Sequence, residues 1–140
     1  MKILMAVDGS AFTKKMLAYV TTHEELFGPA NDYTLFTAQP HLPVRARAAL
    51  GKEIVDQYYR EEVERILAPV SKFLTRHNIL AKSQWKIGQA GEAIAKLAEA
   101  GGFDLVLMGS HGHGALASLI MGSVTTQVLA QCKVPVLLVR

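Results

Sequence analysis

The sequence predicts a three-layer α/β fold, in which helices cover both faces of an open, mostly parallel five-stranded sheet. Short apolar runs of strand length alternate with segments of helical period along the 140 residues, in the order β-α-β-α-β-α-β-α-β. The first and last of these runs, residues 3–7 and 134–139, are apolar throughout, which is typical of parallel strands that are covered on both faces. Half of the residues are hydrophobic, and a chain of this size and composition is expected to form one domain over residues 1–140.

The amino-terminal part of the chain contains two predicted strands with one helix between them. The apolar run from Ile3 to Val7 predicts the first strand, which stops at Asp8. Apolar residues at helical spacing then favour one helix that continues to the Gly28-Pro29 step. Residues 33–38, with the sequence YTLFTA, predict the second strand.

A long helix is predicted from about Lys52 to His77, because apolar residues follow one stripe along it. Pro69 lies inside this segment and is expected to kink or divide the helix, since proline lacks an amide hydrogen and crowds the preceding turn. Residues 81–87 alternate polar and apolar side chains, which predicts a third strand that is less buried than the others.

The remaining chain repeats the alternation of helix and strand. A helix through Ile94 ends at the Gly101-Gly102 step, and residues 103–108 predict the fourth strand. A further helix precedes the fifth strand, which runs from Val134 to Val139. Four residues fall on one face of that helix: Met121, Val124, Val128 and Cys132.

Charge and cysteine content exclude several classes of protein. The formal net charge is +3, from 15 basic and 12 acidic residues without a run of lysines or arginines. This balance lacks the basic footprint of nucleic-acid-binding or membrane-surface proteins, so neither partner is expected. The single cysteine, Cys132, cannot form an internal disulfide, and the chain opens without a cationic leader and cleavage site. We therefore expect a cytoplasmic protein.

Two strand ends carry polar loops that contain glycine, and these loops mark the candidate site. Asp8, Gly9 and Ser10 follow the first strand, and a glycine-rich segment that starts at Gly109 follows the fourth. In open doubly wound sheets, ligands bind beyond the carboxyl ends of the strands, where the direction of winding reverses. If the winding reverses between these two strands, the two loops face each other across the crevice.

The segment from Gly109 to Ser123 has the features of a site for an anion such as phosphate. Glycine allows positive φ and lets backbone amides approach an anion closely. Gly122 and Ser123 open the following helix, so their amides and the serine hydroxyl are expected at its positive end. The alternative is that these glycines only shape turns, and Asp8 and Ser10 likewise suit an ordinary turn and helix N-cap.

Other site chemistries fit the sequence less well. The chain has no P-loop motif. The stretch GHGALA at residues 112–117 matches the dinucleotide fingerprint, but it follows the fourth strand, and no later acidic residue could bind a ribose. His111 and His113 supply two of the four ligands that a structural zinc site needs, so no protein-bound metal is expected. A phosphoacceptor domain would need paired acids after the first strand, where Asp8 stands alone.

The spacing of Gly109, two residues, Gly112, nine residues and Gly122-Ser123 resembles the ATP-binding signature of the universal stress protein family. The resemblance extends over the whole chain. It includes ILMAVDGS at the first strand and turn, IGQAGEAI before the third helix, FDLVLMGSHG at the fourth strand and VPVLLVR at the end. The fold that it implies is Rossmann-like, similar to that of adenine nucleotide alpha hydrolases.

The resemblance implies ATP as the ligand and gives roles to six residues. Asp8 would contact the ribose, and the backbone at Ala38 would line the adenine pocket. Four residues would hold the ribose and the phosphates: Gly109, Gly112, Gly122 and Ser123. The resemblance also implies a homodimer in which the strands from Val134 to Val139 of two subunits pair, and such pairing would cover an apolar sheet edge.

The chain departs from many nucleotide-binding relatives between the second and third motif glycines. Those relatives carry a lysine or arginine there, whereas this chain has neither from His113 to Met121. The charge of a triphosphate would then be met by amides, by the helix dipole and by a divalent cation such as Mg²⁺ held mainly by the phosphates. Protonated His111 or His113 would also help to neutralise the triphosphate.

Few of the groups that catalysis needs accompany the glycine motif, which has no lysine, no base beside a nucleophile and no carboxylate pair. The sequence therefore favours a dimeric regulatory protein of the universal stress response that binds an adenine nucleotide, with at most slow ATP hydrolysis. Two alternatives stay open. One is a nucleotide-free dimeric interaction module of the same fold, and the other is a slow ATPase whose single-turnover hydrolysis would disappear on changing Asp8.

Overall fold

The computed structural model describes residues 1–113 and 121–140. These residues contain five strands, in chain order β1 (Lys2–Ala6), β2 (Asp32–Gln39), β3 (Ala81–Ile87), β4 (Leu105–Gly109) and β5 (Val136–Val139). The strands form one sheet in the order β3-β2-β1-β4-β5, and every pairing in it is parallel. The predicted five-stranded open sheet is confirmed, and it is parallel throughout.

The helices lie on both faces of this sheet, as predicted. Those in the described ranges are α1 (Ala11–Thr22), α2 (Glu24–Phe27), α3 (Val44–Leu50), α4 (Lys52–Arg76), α5 (Ala90–Ala100) and α6 (Ser123–Gln131). Residues of α1 and α4 pack on one face, and residues of α5 and α6 pack on the other. Within the described ranges, no helix combines the length and the apolar character needed to cross a membrane.

Alternate residues of the strands point into two separate apolar cores. Met5 packs with Met16 of α1 and Leu67 of α4, whereas its neighbour Leu4 packs with Ile94 of α5 and Val128 of α6. Both faces of β1 are therefore shielded from water, which explains why its sequence is a continuous apolar run rather than an alternating one.

The prediction of a single helix before the Gly28-Pro29 step is wrong, because the structure has two helices in this segment. His23 has φ −122° and ψ 57°, which are not helical, so α1 ends before it and α2 begins after it. The His23 carbonyl accepts hydrogen bonds from the amides of Leu26 (3.0 Å) and Phe27 (2.9 Å), which starts the second helix. Phe27 is buried in the core beside α1.

Helix α3 was not predicted from the sequence. None of its residues is buried, so its apolar residues do not form the one-sided stripe on which helix prediction relies. Its C-cap, Gly51, has φ 81° and leads directly into α4. The positive φ explains why a glycine stands between the two helices.

Two further details of the predicted helices change in the structure. Helix α4 runs without interruption across Pro69, so the proline does not divide the helix. The kink that was also predicted at Pro69 stays a prediction. Buried residues on both sides of the proline, among them Leu67 and Val70, hold the helix against the sheet. Met121 precedes the first turn of α6 and is 37% exposed, so it does not belong to the apolar face of that helix.

The order of the strands places the reversal of winding between β1 and β4. The chain passes from β1 outward to β2 and β3, and then returns to β4 and β5 on the other side of β1. Ala6 pairs with Met108 near the carboxyl ends of the two strands. The loops that follow β1 and β4 are therefore neighbours at the same edge, which is the arrangement required for a shared site.

We predict that Leu35→Ala destabilises the fold by about 2–5 kcal/mol, because it removes buried methyl groups and leaves a cavity. Leu35 is fully buried in β2. Leu80→Ala is the matched control, since Leu80 is 78% exposed and its loss should change stability by no more than about 0.5 kcal/mol. Urea unfolding followed by circular dichroism measures both. Equal losses in the two variants would contradict the central position of Leu35.

Candidate functional site

A cavity of about 260 Å³ lies at the carboxyl ends of β1, β2 and β4, where the winding reverses. This volume is just below the range of about 300–1,000 Å³ that is usual for small-molecule sites. All six residues singled out in the sequence line the cavity: Asp8, Ala38, Gly109, Gly112, Gly122 and Ser123. Residues that are far apart in the chain thus meet at one place, and their roles toward a ligand stay predictions.

The carboxylate of Asp8 organises the turn after β1 with one of its two oxygens. Asp8 Oδ1 accepts hydrogen bonds from the Ser10 amide (2.9 Å) and the Thr13 hydroxyl (2.9 Å). The Ser10 side chain caps α1 by accepting from the Thr13 amide, so its expected capping role is confirmed. Oδ2 accepts no hydrogen bond from the described residues and lies against Gly112.

The three motif glycines are needed for space and not for positive φ. None of the three has a positive φ. A Cβ on Gly109 would lie 2.6 Å from the Cβ of Phe12, and a Cβ on Gly112 would lie 2.6 Å from Asp8 Oδ2. On Gly122 it would lie 3.2 Å from the Cα of His111. The glycines therefore let α1, the loop after β1 and the start of α6 approach the end of β4 closely.

The start of α6 is fixed to the end of β4 by a small group of hydrogen bonds. The Gly122 amide donates to the Ser110 carbonyl (2.8 Å), and the hydroxyl of Thr125 donates to the carbonyls of Gly109 (3.2 Å) and Ser110 (3.1 Å). The expectation that the Gly122 amide faces an anion is thus wrong, because this amide points back to the protein. Gly122 shapes the cavity by its small size.

The next amides of α6 are the ones available at the positive end of the helix. No atom of the described residues accepts a hydrogen bond from the amides of Ser123, Val124 or Thr125, and no side chain caps this helix. Unpaired amides at a helix N-terminus, together with the helix dipole, favour an anion. The Ser123 hydroxyl lies beside them.

The two histidines of the loop after β4 have structural partners. Nε2 of His113 donates a hydrogen bond to the carbonyl of Asp8 (2.7 Å), which links the loops after β1 and β4. His111 pairs with the Ser110 hydroxyl through Nδ1 (2.8 Å), and its ring packs on Phe12 at 4.8 Å between centroids. Within residues 1–113 and 121–140, no group of three or more histidine, cysteine or carboxylate side chains is placed to hold a metal ion.

The cavity is lined both by apolar side chains and by the start of a helix. The apolar residues include Phe36 and Ala38 of β2 and Ile94 of α5, and the helix is α6, which follows β4 on the other side of β1 from β2. Asp8 is the only carboxylate, and no lysine or arginine is present, among the described lining residues. Residues 114–120, which include most of the GHGALA stretch, lie outside the described residues, and their sequence contains no charged residue.

Several lining residues were not identified from the sequence, including Thr13, Thr37 and Thr125. The signal for Thr13 was present, because a residue three positions after an N-cap serine is its usual hydrogen-bond partner. Thr125 gave no such signal. Its contact with the end of β4 depends on where the sheet places α6.

Comparison with known proteins shows which chains share this fold and sequence. A family model described as the Universal stress protein family matches residues 1–140. A universal stress protein of Synechocystis, Slr1230, is 31% identical over 99% of this chain, and a universal stress protein of Thermus aquaticus is 29% identical over 99%. The matched region spans 42% of the Synechocystis protein and 97% of the Thermus protein.

Solved structures share the fold. The structure of MJ0577, a protein of Methanocaldococcus jannaschii, superposes with a TM-score of 0.83 at 28% identity, covering 99% of this chain and 94% of that one. An Archaeoglobus fulgidus universal stress protein in complex with dAMP has a TM-score of 0.68 at 15% identity, over 100% of this chain and 98% of that one. An Arabidopsis protein of the universal stress protein family with AMP bound has a TM-score of 0.68 at 12% sequence identity, and the match covers 99% of this chain and 91% of that one.

We predict that Thr125→Val destabilises the protein by about 1–3 kcal/mol, because it leaves buried carbonyls of the β4 end without this donor. Thr125 is 1% exposed. Thr126→Val is the matched control, since Thr126 is exposed and its hydroxyl donates only within its own helix, to the Gly122 carbonyl. Thermal unfolding compares the two variants. A larger loss of stability for Thr126→Val would contradict the stabilising role of the Thr125 hydrogen bonds to the end of β4.

Proposed function

Because this chain belongs to the universal stress protein family, we propose that it is a regulatory module that binds an adenine nucleotide in the cavity between β1 and β4. The observation that carries the proposal is that all six residues of the sequence motif and its expected companions line one cavity. Two solved members of this fold, from Archaeoglobus fulgidus and Arabidopsis, hold dAMP and AMP.

The apolar residues and the helix start in the lining suit the base and the phosphates of such a nucleotide. The adenine ring would lie against the end of β2 at Ala38. The ribose would hydrogen-bond to Asp8 Oδ2, the oxygen that the turn does not use. The first phosphate would lie at the amides of Ser123 and the next two residues, where the helix dipole favours negative charge.

The sequence motif favours ATP, and ATP is part of the proposal. The further phosphates meet no lysine or arginine among the described lining residues, and Asp8 adds a negative charge. Binding of ATP therefore calls for a divalent cation such as Mg²⁺, held mainly by the phosphates. AMP carries less charge and needs no such ion.

A regulatory role suits this site better than catalysis. Asp8 Oδ1 and His113 Nε2 are both used by hydrogen bonds that hold the loops, which leaves few groups to activate a nucleophile. A bound nucleotide would then act by changing the surface that the protein offers to a partner.

We place this regulatory role in the cytoplasm, since the free Cys132 suits a reducing compartment.

The proposal includes a homodimer through β5. This strand lies at the edge of the sheet, and its four residues are only partly buried. An apolar strand at an edge exposes unpaired backbone groups, and pairing with a second copy satisfies them. The region from Val134 to Val139 would form this contact.

We predict that freshly purified protein releases an adenine nucleotide on denaturation, and that Gly122→Val abolishes this. The valine Cβ would lie 3.2 Å from the Cα of His111 and 3.5 Å from the Ser110 carbonyl, so the side chain would push the loop after β4 away from α6. Chromatography of the released material identifies the nucleotide. If the protein is purified empty, calorimetric titration with AMP, and with ATP in the presence and absence of Mg²⁺, replaces this measurement.

Gly28→Val is the matched control for this experiment. A Cβ on Gly28 would lie 2.9 Å from the Glu24 carbonyl, φ is −68°, and the residue is remote from the cavity. This variant should keep its nucleotide. Unchanged nucleotide content in Gly122→Val, or equal loss in both variants, would remove the support for the assigned phosphate position.

We predict a dimer at micromolar concentration that Leu138→Pro converts to a monomer and Leu138→Ala does not. The Pro135 and Val139 carbonyls accept hydrogen bonds from β4, so the alternating amide of Leu138 points to the outside. Proline removes that amide, whereas both variants lose the same side-chain packing. Sedimentation analysis reads the result. A monomeric parent protein, or a dimeric proline variant, would contradict the proposed pairing of two β5 strands.

A further inference from the structure

The edge strand β3 and helix α4 form an open groove at the edge of the sheet farthest from β5. The groove is lined by one side of α4, from Arg60 to Arg76, and by Ser83 and Trp85 of β3. The five central residues of β3 are exposed, and Trp85, the only tryptophan in the chain, is 41% exposed. A strand left unpaired at an edge offers its backbone to another extended chain.

The two faces of β3 differ in chemistry. Ser83 and Trp85 share a face that looks toward α4, because both line the groove with that helix. Their neighbours Lys82, Gln84 and Lys86 alternate to the other face, where Gln84 pairs in register with Phe36. One face of β3 thus presents an aromatic ring, and the other presents two ammonium groups.

Cationic side chains surround the groove. The α4 side contributes Arg60, Arg65, Lys72 and Arg76, together with the acidic Glu61 and Glu64. Arg65 forms an ion pair with Glu62, and Lys82 lies 3.4 Å from Asp32. In the part of the chain that the structure describes, no ion pair engages Arg60, Lys72 or Arg76. Lys96 has the larger part in lowering the pKa of the Glu92 carboxyl, and Lys86 lies close enough to Glu92 to lower it further. The surface therefore keeps an excess of positive charge.

We propose that β3 is a docking strand for an acidic, extended segment of a partner protein, which adds to the sheet beside β3. Acidic side chains at every second position of that segment face Lys82 and Lys86. The intervening apolar side chains enter the groove over Trp85, and the cations of α4 attract the acidic flanks. Backbone hydrogen bonds supply affinity in this mode of binding, and the alternating side chains supply selectivity.

A second copy of this chain is a poor occupant of the same edge. Antiparallel pairing of two β3 strands about Gln84 would place Lys82 of each copy directly opposite Lys86 of the other. Like charges at directly opposed positions destabilise a sheet, and the chain as a whole carries a net charge of +3. The lysines thus oppose self-pairing and select for an acidic strand.

The hydrogen-bond pattern identifies the amides that a partner would use. The Gly88 amide donates to the Gln39 carbonyl of β2 (2.8 Å). Because successive amides of a strand point to opposite sides, those of Ser83 and Trp85 point away from β2. Ser83→Pro removes an outward amide and leaves the ladder to β2 complete, since proline is tolerated on the free side of an edge strand.

The test uses Trp85 as its own reporter. The probe is a seven-residue peptide that alternates aspartate and valine, acetylated and amidated at its ends, and tryptophan emission is followed during titration. We expect a saturable shift that weakens as salt is raised. Ser83→Pro should abolish the response, and Ser83→Ala, the matched control, should retain it. Lys86→Glu should weaken binding about tenfold, because it replaces an attraction by a repulsion.

Each alternative occupant gives a distinct result. A peptide with lysine in place of aspartate should produce no shift, and an equal response to it would overturn the proposal. Absence of any response at about 1 mM peptide, which corresponds to very weak binding, would do the same. Self-association of the parent protein that Ser83→Pro abolishes would show that a second copy occupies the edge instead. Circular dichroism confirms the folding of each variant, and Lys86→Glu decides the outcome if Ser83→Pro does not fold.

Discussion

The parallel pairing of β1 with β4 is the constraint on which the site depends. It sets the carboxyl ends of the two strands side by side, with Ala6 beside Met108. The chain leaves the two strands toward opposite faces of the sheet, since α1 packs on one face and α6 on the other. The space between the departing segments is the cavity, so its position follows from the order of the strands and needs no special side chain.

Much of the fold could be predicted because buried segments show a recognisable pattern of apolar residues in the sequence. A strand such as β1 is apolar at each of its buried positions, Ile3 to Ala6, because both of its faces are covered. The long helix α4 carries an apolar stripe on its buried side. The errors fall where burial is absent or a local conformation decides. Helix α3 buries nothing, and the break at His23 depends on a single residue with non-helical dihedral angles.

The residues of the candidate site could be selected from the sequence, and they line one cavity, but the geometry of that cavity could not be derived in full. Glycines after a strand and before a helix indicate close approach of backbones, and the structure explains each by a neighbour: Phe12, Asp8 or His111. Which amides point inward depends on tertiary contacts. The amide of Gly122 bonds to Ser110 because β4 and α6 meet at that distance. Nothing in the local sequence specifies this contact, and the same holds for Thr125.

The hydrogen bonds that hold the start of α6 to the end of β4 have a thermodynamic consequence. An amide that must first be ordered costs about 1–2 kcal/mol of backbone entropy per residue. Here the hydrogen bonds from Gly122 and Thr125 have already fixed the first turn of the helix. An anion bound there, as proposed, would not have to order Gly122 and Thr125, so contact and charge at this turn would set more of its affinity than a coupled folding step. Such a site would respond to the concentration of its ligand without rearrangement of these two residues.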